Sequence, residues 1–198
     1  SNGKTTTTSL IYKIMRDAGL NAALGGNIGE SFAYSVATGD YDWYVLELSS
    51  FQLDGMFRFR AHIGVLMNIT PDHLAWHGTL DAYAAAKRKI FANQEPGDLA
   101  VVCVEDAGAR AALSAARSTG AAVCELSHDD SGAASAAFCD EGVLVVRLNG
   151  VEHRLVPTAE LRIRGAHNEL NALAAAAAAL WVGASDEDVR AALVSFAA

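Results

Sequence analysis

Apolar positions along the chain switch repeatedly between two periods. From Thr5 to Ala18, Leu10, Ile11, Ile14 and Met15 recur at the spacing of one helical face, and the run stops at Gly19. Asn21 to Leu24 reads as a short strand entering Gly25-Gly26-Asn27-Ile28-Gly29, and Glu30 to Ala37 reads as a short helix. Trp43-Tyr44-Val45-Leu46-Glu47-Leu48 is a β-rich run between polar residues, the pattern of a buried parallel strand. Ile63 to Ile69 is another, ending at Thr70-Pro71-Asp72-His73. Thr79 to Ala92 has helical spacing, with Tyr83, Ala86, Ile90 and Phe91 on one face. A strand over Leu99 to Val104, a helix over Ala107 to Ser118 and a strand over Ala121 to Leu126 follow. This alternation predicts an α/β fold with a doubly wound, mostly parallel sheet, whose sites sit at the carboxyl ends of strands.

The rhythm then changes. Ser127 to Ala137 is small and polar and reads as a loop. The runs Gly142 to Leu148 and Val151 to Val156 flank Asn149-Gly150, a strong short-range hairpin signal. A small antiparallel sheet attached to the parallel one is therefore expected. Two helices close the chain, His167 to Val182 and Ser185 to Phe196. Ser185 is a good N-cap, and Asp186, Glu187 and Asp188 suit the positive end of the helix dipole.

Composition narrows the class. With 198 residues, one domain with a real core is the default. At 52% hydrophobic and 19% charged, the chain is globular rather than disordered. A net charge of −8 argues against nucleic-acid binding, though a nucleotide needs only a local positive site. Cys103, Cys124 and Cys139 are odd in number and scattered, which fits small buried residues in a reducing cytoplasm and not zinc or a disulfide framework. No apolar run reaches the roughly 20 residues of a membrane helix.

The chain's opening carries the first candidate chemistry. Asn2-Gly3-Lys4-Thr5-Thr6 is the second half of a phosphate-binding loop, G-x-x-x-x-G-K-[ST]. Glycine lets backbone N–H groups approach an oxyanion, and lysine brings a mobile charge to the phosphates. The hydroxyl that follows can ligate Mg²⁺. The loop's first glycine and its preceding strand are missing, so a piece of a longer protein is expected. Glu47 is an acid inside an apolar run, at its carboxyl end. It is either a metal-holding carboxylate or one that points outward. Asp72-His73 occupies the same edge of the next strand, which makes His73 a ligand candidate, while His77 ranks lower, as a residue that caps the turn. Nothing but helical register separates Lys87 from Lys89, and register puts Lys87 one turn after Tyr83, toward burial. Asn168 and Asn171 share a face at a helix start, where amides either read a purine ring or cap the helix.

Taken together and in order, these segments resemble the Mur ligase family of ATP-dependent amide-bond-forming ligases, over nearly the whole chain. Asn2-Gly3-Lys4-Thr5-Thr6, Asp72-His73-Leu74, Ala86-Lys87 and His167-Asn168-Glu169-Leu170-Asn171 match family-wide signals. Gly25-Gly26-Asn27-Ile28-Gly29 and Leu46-Glu47-Leu48-Ser49-Ser50-Phe51-Gln52-Leu53 are similar to the branch that adds D-glutamate. The resemblance implies that residues 1–198 are a central ATP-binding domain, without the N-terminal UDP-binding and C-terminal domains. It implies an acyl-phosphate mechanism on UDP-N-acetylmuramoyl-L-alanine and D-glutamate in peptidoglycan precursor synthesis, carried out by a cytoplasmic monomer. Lys4 would neutralise the transferring phosphoryl group. Thr5 and Glu47 would hold one Mg²⁺. His73 and a carbamylated Lys87 would serve a second. Asn27, Ser49, Gln52 and His73 would line the substrate channel. Asn2, Gly3, Lys4, Thr5 and Thr6 would meet the phosphates, with His167, Asn168 and Asn171 around the adenine. Ala75 departs from the pattern, which often has an acid there. Other Mur-type or folylpolyglutamate-type ligases, and a non-catalytic nucleotide-binding module, are the alternatives. The isolated domain is expected to bind ATP weakly and to turn over negligibly.

Overall fold

The computed structural model describes residues 2–70 and 74–197. Helix α1 (Lys4–Asp17) starts after Gly3, whose φ of 83° only glycine adopts without strain, and buries Leu10 and Ile14 completely. Strand β1 (Ala22–Gly26), helix α2 (Phe32–Thr38) and strand β2 (Trp43–Glu47) follow, and β1 and β2 pair in parallel as a separate two-stranded sheet. After α3 (Ser50–Asp54), β3 (Ile63–Leu66) opens the main sheet. Helices α4 (Leu74–His77) and α5 (Leu80–Arg88) lead into a 3₁₀ turn over Lys89–Phe91. Then come β4 (Leu99–Cys103), α6 (Ala107–Arg110), α7 (Leu113–Ser118), β5 (Ala122–Leu126), β6 (Ala136–Asp140), β7 (Val143–Leu148) and β8 (Val151–Pro157). Helices α8 (Ala166–Trp181) and α9 (Asp186–Ser195) complete the chain.

The main sheet runs β3-β4-β5-β6-β7-β8, parallel as far as β6 and antiparallel beyond it. Strand β4 shows why it is covered on both faces. Leu99, Val101 and Cys103 point into a core shared with α1, α8 and α9. Ala100 and Val102 point into a second core with Tyr83, Phe91, Ala109, Ala112 and Ala116. The unbroken alanines of Ala174–Ala179 are all buried, and their small side chains let α8 lie close against its neighbours. Asp98 fixes the start of β4. Its carboxylate takes Arg60 Nε at 2.8 Å and Nη2 at 2.9 Å, which ties it to the segment before β3. Burial works against that carboxylate, but the Arg60 guanidinium overcomes it and holds its pKa below the ordinary value.

Several expectations are corrected here. The loop expected over Ser127 to Ala137 ends early, because Ala136 and Ala137 already belong to β6 and pair with Glu125 and Leu126. Through that strand the antiparallel hairpin is attached to the parallel sheet as expected, continuous with it, and a further two-stranded parallel sheet, β1–β2, stands apart. Ala136-Ala137-Phe138-Cys139-Asp140 hides its strand because it lacks the β-branched residues that announce one. The helix expected over Ala107 to Ser118 breaks in two around Ala111 and Ala112. The Asn149-Gly150 turn is as expected, with φ of 50° and 83° joining β7 to β8.

Strands β2 and β3 do not pair. Between them lies a cavity of about 370 Å³, running from Trp43 and Ile63 at the strands' amino ends to Glu47 and Asn68 at their carboxyl ends. Its walls are largely apolar, with Ile11 and Met15 of α1, Val45 and Val65 of the strands, and Ala178 of α8.

Candidate functional site

The phosphate-loop half motif sits at the carboxyl ends of β2 and β3. The Asn2 backbone N–H donates to Asn68 Oδ1, and Asn68 Nδ2 donates to the Asn2 carbonyl, both at 2.9 Å. Asn68 is a site residue absent from the sequence expectations, although it carries the same signal as Glu47, a polar residue at the carboxyl end of an apolar run. Gly3 is required by contact as well as by φ, since a Cβ there would lie 2.4 Å from Asn171 Oδ1.

Glu47 is 3% exposed at the end of β2. Its carboxylate accepts from Thr5 Oγ1 at 2.7 Å and from Asn27 Nδ2 at 3.0 Å. Bonds of this kind to an ionised acceptor are worth about 1.5–3 kcal/mol each, which offsets burial of the charge. The Asn27 N–H also donates to the Glu47 carbonyl at 2.8 Å. This closeness depends on Gly26, with φ of 95°, where a Cβ would meet the Glu47 carbonyl oxygen at 2.3 Å. Thus the glycine-rich turn after β1 and the acid ending β2 form one unit. Mg²⁺ takes oxygen ligands, commonly one or two carboxylates completed by water and phosphate oxygens. The hydroxyl of Thr5 and the carboxylate of Glu47 fit that demand. Among the described residues, no group of three or more His, Cys, Asp or Glu gathers as an all-protein cage.

Lys87 is 5% exposed on α5, its Nζ 5.2 Å from the centre of the buried Tyr83 ring. Lys89, by contrast, reaches out to the Asp54 carbonyl and carboxylate, at 2.7 Å each. The two lysines that composition could not separate are therefore on different faces. Lys4, Glu47, Asn68 and Lys87 all line the cavity between β2 and β3. His73 lies outside the described residues. His77 Nε2 is 3.0 Å from Ser50 Oγ and its ring stacks on Phe51, which joins α4 to α3.

Ser49 and Gln52 are engaged with each other. Ser49 is the N-cap of α3, its hydroxyl accepts from the Gln52 N–H, and Gln52 Oε1 accepts from the Ser49 N–H at 2.9 Å. This is a capping box, S-x-x-Q, a local signature the reading of the chain did not use. At the start of α8, His167 is exposed and Asn168 half-buried. Asn171 is 3% exposed, accepts from Thr7 Oγ1 at 3.1 Å and donates to Asn168 Oδ1 at 3.1 Å. It locks α8 to α1 beneath the loop, and Asn168 is the nearer of the two to solvent.

Residues 1–179 match the Mur ligase middle domain. The UDP-N-acetylmuramoylalanine–D-glutamate ligase of Pelotomaculum thermopropionicum is 44% identical over 92% of this chain and 40% of its own length. The protein of the same name from Solibacter usitatus is 42% identical over 100% of this chain and 43% of its own length. The chain thus spans less than half the length of these relatives. Among solved structures, a UDP-N-acetylmuramoyl-L-alanyl-D-glutamate–2,6-diaminopimelate ligase superposes with a TM-score of 0.76 at 22% identity, covering 100% of this chain and 45% of the other. At that identity the likeness speaks for the fold alone. The match over residues 1–179 settles the family: this chain belongs to the Mur ligase family, as its middle domain.

Proposed function

We propose that this domain supplies the ATP site of a ligase that joins D-glutamate to UDP-N-acetylmuramoyl-L-alanine. The observation that carries the reading is the buried Glu47 carboxylate on Thr5, directly after Lys4, with Lys87 lining the same cavity. The γ-phosphoryl group of ATP passes to the substrate carboxylate, giving an acyl phosphate and ADP. The amine of D-glutamate then attacks the acyl carbon, the C–O bond to phosphate breaks, and the amine proton is lost as the amide forms. Lys4 offsets charge on the transferring group, and the backbone at Gly3 cradles it. Thr5 and Glu47 would hold one Mg²⁺, which neutralises phosphate charge. His73 and Lys87 would hold a second ion, Lys87 once its amine had added CO₂ and lost a proton to give a carbamate, an oxygen donor that suits a hard cation. Asn27, Ser49 and Gln52 face the muramoyl-alanine end. His167 and Asn168 frame the adenine, and Asn171, expected beside them, supports Asn168 from beneath. The enzyme acts as a monomer in the cytoplasm. Among the described residues no helix is long and apolar enough to cross a membrane.

The longer protein is expected to release phosphate from ATP only when UDP-N-acetylmuramoyl-L-alanine and D-glutamate are both present. Release that needs neither substrate refutes ligase chemistry.

In this reading the cavity between β2 and β3 receives the strand that leads into a complete phosphate loop, as such loops require. Its apolar walls and the two unpaired strand edges suit a buried parallel strand. Extending the chain upstream by that strand and the loop's first half should raise its melting temperature by several degrees and tighten ADP binding at least tenfold. Unchanged melting and affinity would contradict this placement.

A further inference from the structure

His128, in the turn between β5 and β6, is built into a site that the proposed reaction does not use. Its Nδ1 lies 2.8 and 3.0 Å from the two carboxylate oxygens of Glu105, which follows β4. The Glu105 carboxylate also accepts from the His128 backbone N–H. On the other side of the ring, Nε2 lies 3.1 Å from the carbonyl oxygen of Ala166, the first residue of α8, and 4.0 Å from Glu169 Oε2. Carboxylate and carbonyl oxygens only accept hydrogen bonds. A neutral imidazole has a single N–H and would leave one of these contacts as two acceptors face to face. Both are satisfied only by the imidazolium.

We propose that His128 is a positioning residue whose charged ring clasps the first turn of α8 to the carboxyl edge of the main sheet. The point of attachment decides what the clasp controls. Ala166 directly precedes His167 and Asn168, and Asn168 holds the Asn171 amide that packs under Gly3. The consequence for nucleotide binding rests on the reading above that this end of α8 faces the adenine.

The groups around the ring agree with the charged form. Glu105 and Glu169 are the acids that face it. Cys139 on β6, whose Sγ is 3.8 Å from Glu169 Oε2, is a thiol that burial pushes up to about 11, so it stays neutral. Burial of His128 pulls its pKa down, but the hydrogen bond to Glu105 and the Ala166 carbonyl more than compensate, and the net direction is upward. A folded-state pKa above the unfolded value stabilises the clasp fully below the unfolded pKa. The contribution is lost as pH rises through the folded pKa.

The test is an NMR titration of the 198-residue chain, following the His128 ring and the His167 backbone amide, whose peptide bond contains the Ala166 carbonyl. The ring should titrate above the ordinary histidine value of about 6.5, and the His167 amide should move with the same midpoint. Glu105→Gln should lower that midpoint, and His128→Gln should remove the part of the amide response that follows the His128 ring. A His167 amide that ignores the His128 midpoint, or a midpoint unmoved by Glu105→Gln, overturns the proposal. In the longer protein, ADP affinity should fall severalfold as pH rises through the midpoint, and His128→Gln should remove that dependence. ADP that fails to bind at any pH counts against the nucleotide reading, while the coupling of ring and helix still decides the clasp.

Discussion

Replacing Lys87 by alanine in the longer protein is expected to lower substrate-dependent phosphate release by about 10²- to 10³-fold, the usual cost of removing one group that stabilises transition-state charge. Lys87 is 5% exposed on α5 and lines the same cavity as Lys4 and Glu47. In the proposed reading its amine reacts there with CO₂. The amine gains a carboxylate and loses a proton, so a cation becomes an anionic oxygen donor on the cavity that Lys4 and Glu47 also line. Acetate or another short-chain acid added to Lys87→Ala should restore part of the activity by taking the place of the lost carboxylate. Full activity in the unsupplemented variant would eliminate the carbamate. Lys89→Ala is the matched control. It breaks only a solvent-screened, exposed pair with Asp54 and should leave turnover unchanged.

Glu47→Gln is the second large effect, with phosphate release expected to fall by about 10²-fold and to need more Mg²⁺ for half-maximal rate. The substitution separates charge from structure. Both partners of Glu47, the Thr5 hydroxyl and the Asn27 amide, are neutral. Glutamine keeps an acceptor for one of them, and the Thr5 hydroxyl can reverse its role toward the new amide. The stability loss should therefore stay near one hydrogen bond, about 0.5–1.5 kcal/mol. A melting temperature close to that of the parent, together with lost activity, is the signature of a metal-holding carboxylate. Equal Mg²⁺ dependence in variant and parent would assign Glu47 a structural role.

How much of this was legible in the chain depends on how local each signal is. The βαβ alternation, the Asn149-Gly150 turn and the capping of α9 by Ser185 are written in a few neighbouring residues, and the structure has them. Glu47 was visible because a carboxylate in an apolar run needs an explanation wherever it occurs. Other features depend on partners distant in sequence. Lys87 one turn after Tyr83 is local register within α5, but the outward pairing of Lys89 exists only once α3 presents Asp54. Gly26 matters because β2 brings the Glu47 carbonyl against it. The capping box of Ser49 and Gln52 is local, an S-x-x-Q signature written in four neighbouring residues. Asn171 was placed at a helix start where amides usually cap, yet its burial under Gly3 depends on α1, more than 150 residues earlier in the chain.

The fate of one oxygen atom tests the acyl-phosphate route most directly. UDP-N-acetylmuramoyl-L-alanine labelled with oxygen-18 in its carboxylate can be turned over by the longer protein with ATP and D-glutamate, and the released phosphate analysed by mass. If the carboxylate is phosphorylated and the amine then displaces phosphate, each phosphate carries one labelled oxygen. Phosphate released without label would contradict the acyl-phosphate route, and with it the reading of Lys4, Thr5, Glu47 and Lys87 as a site for phosphoryl transfer to a carboxylate.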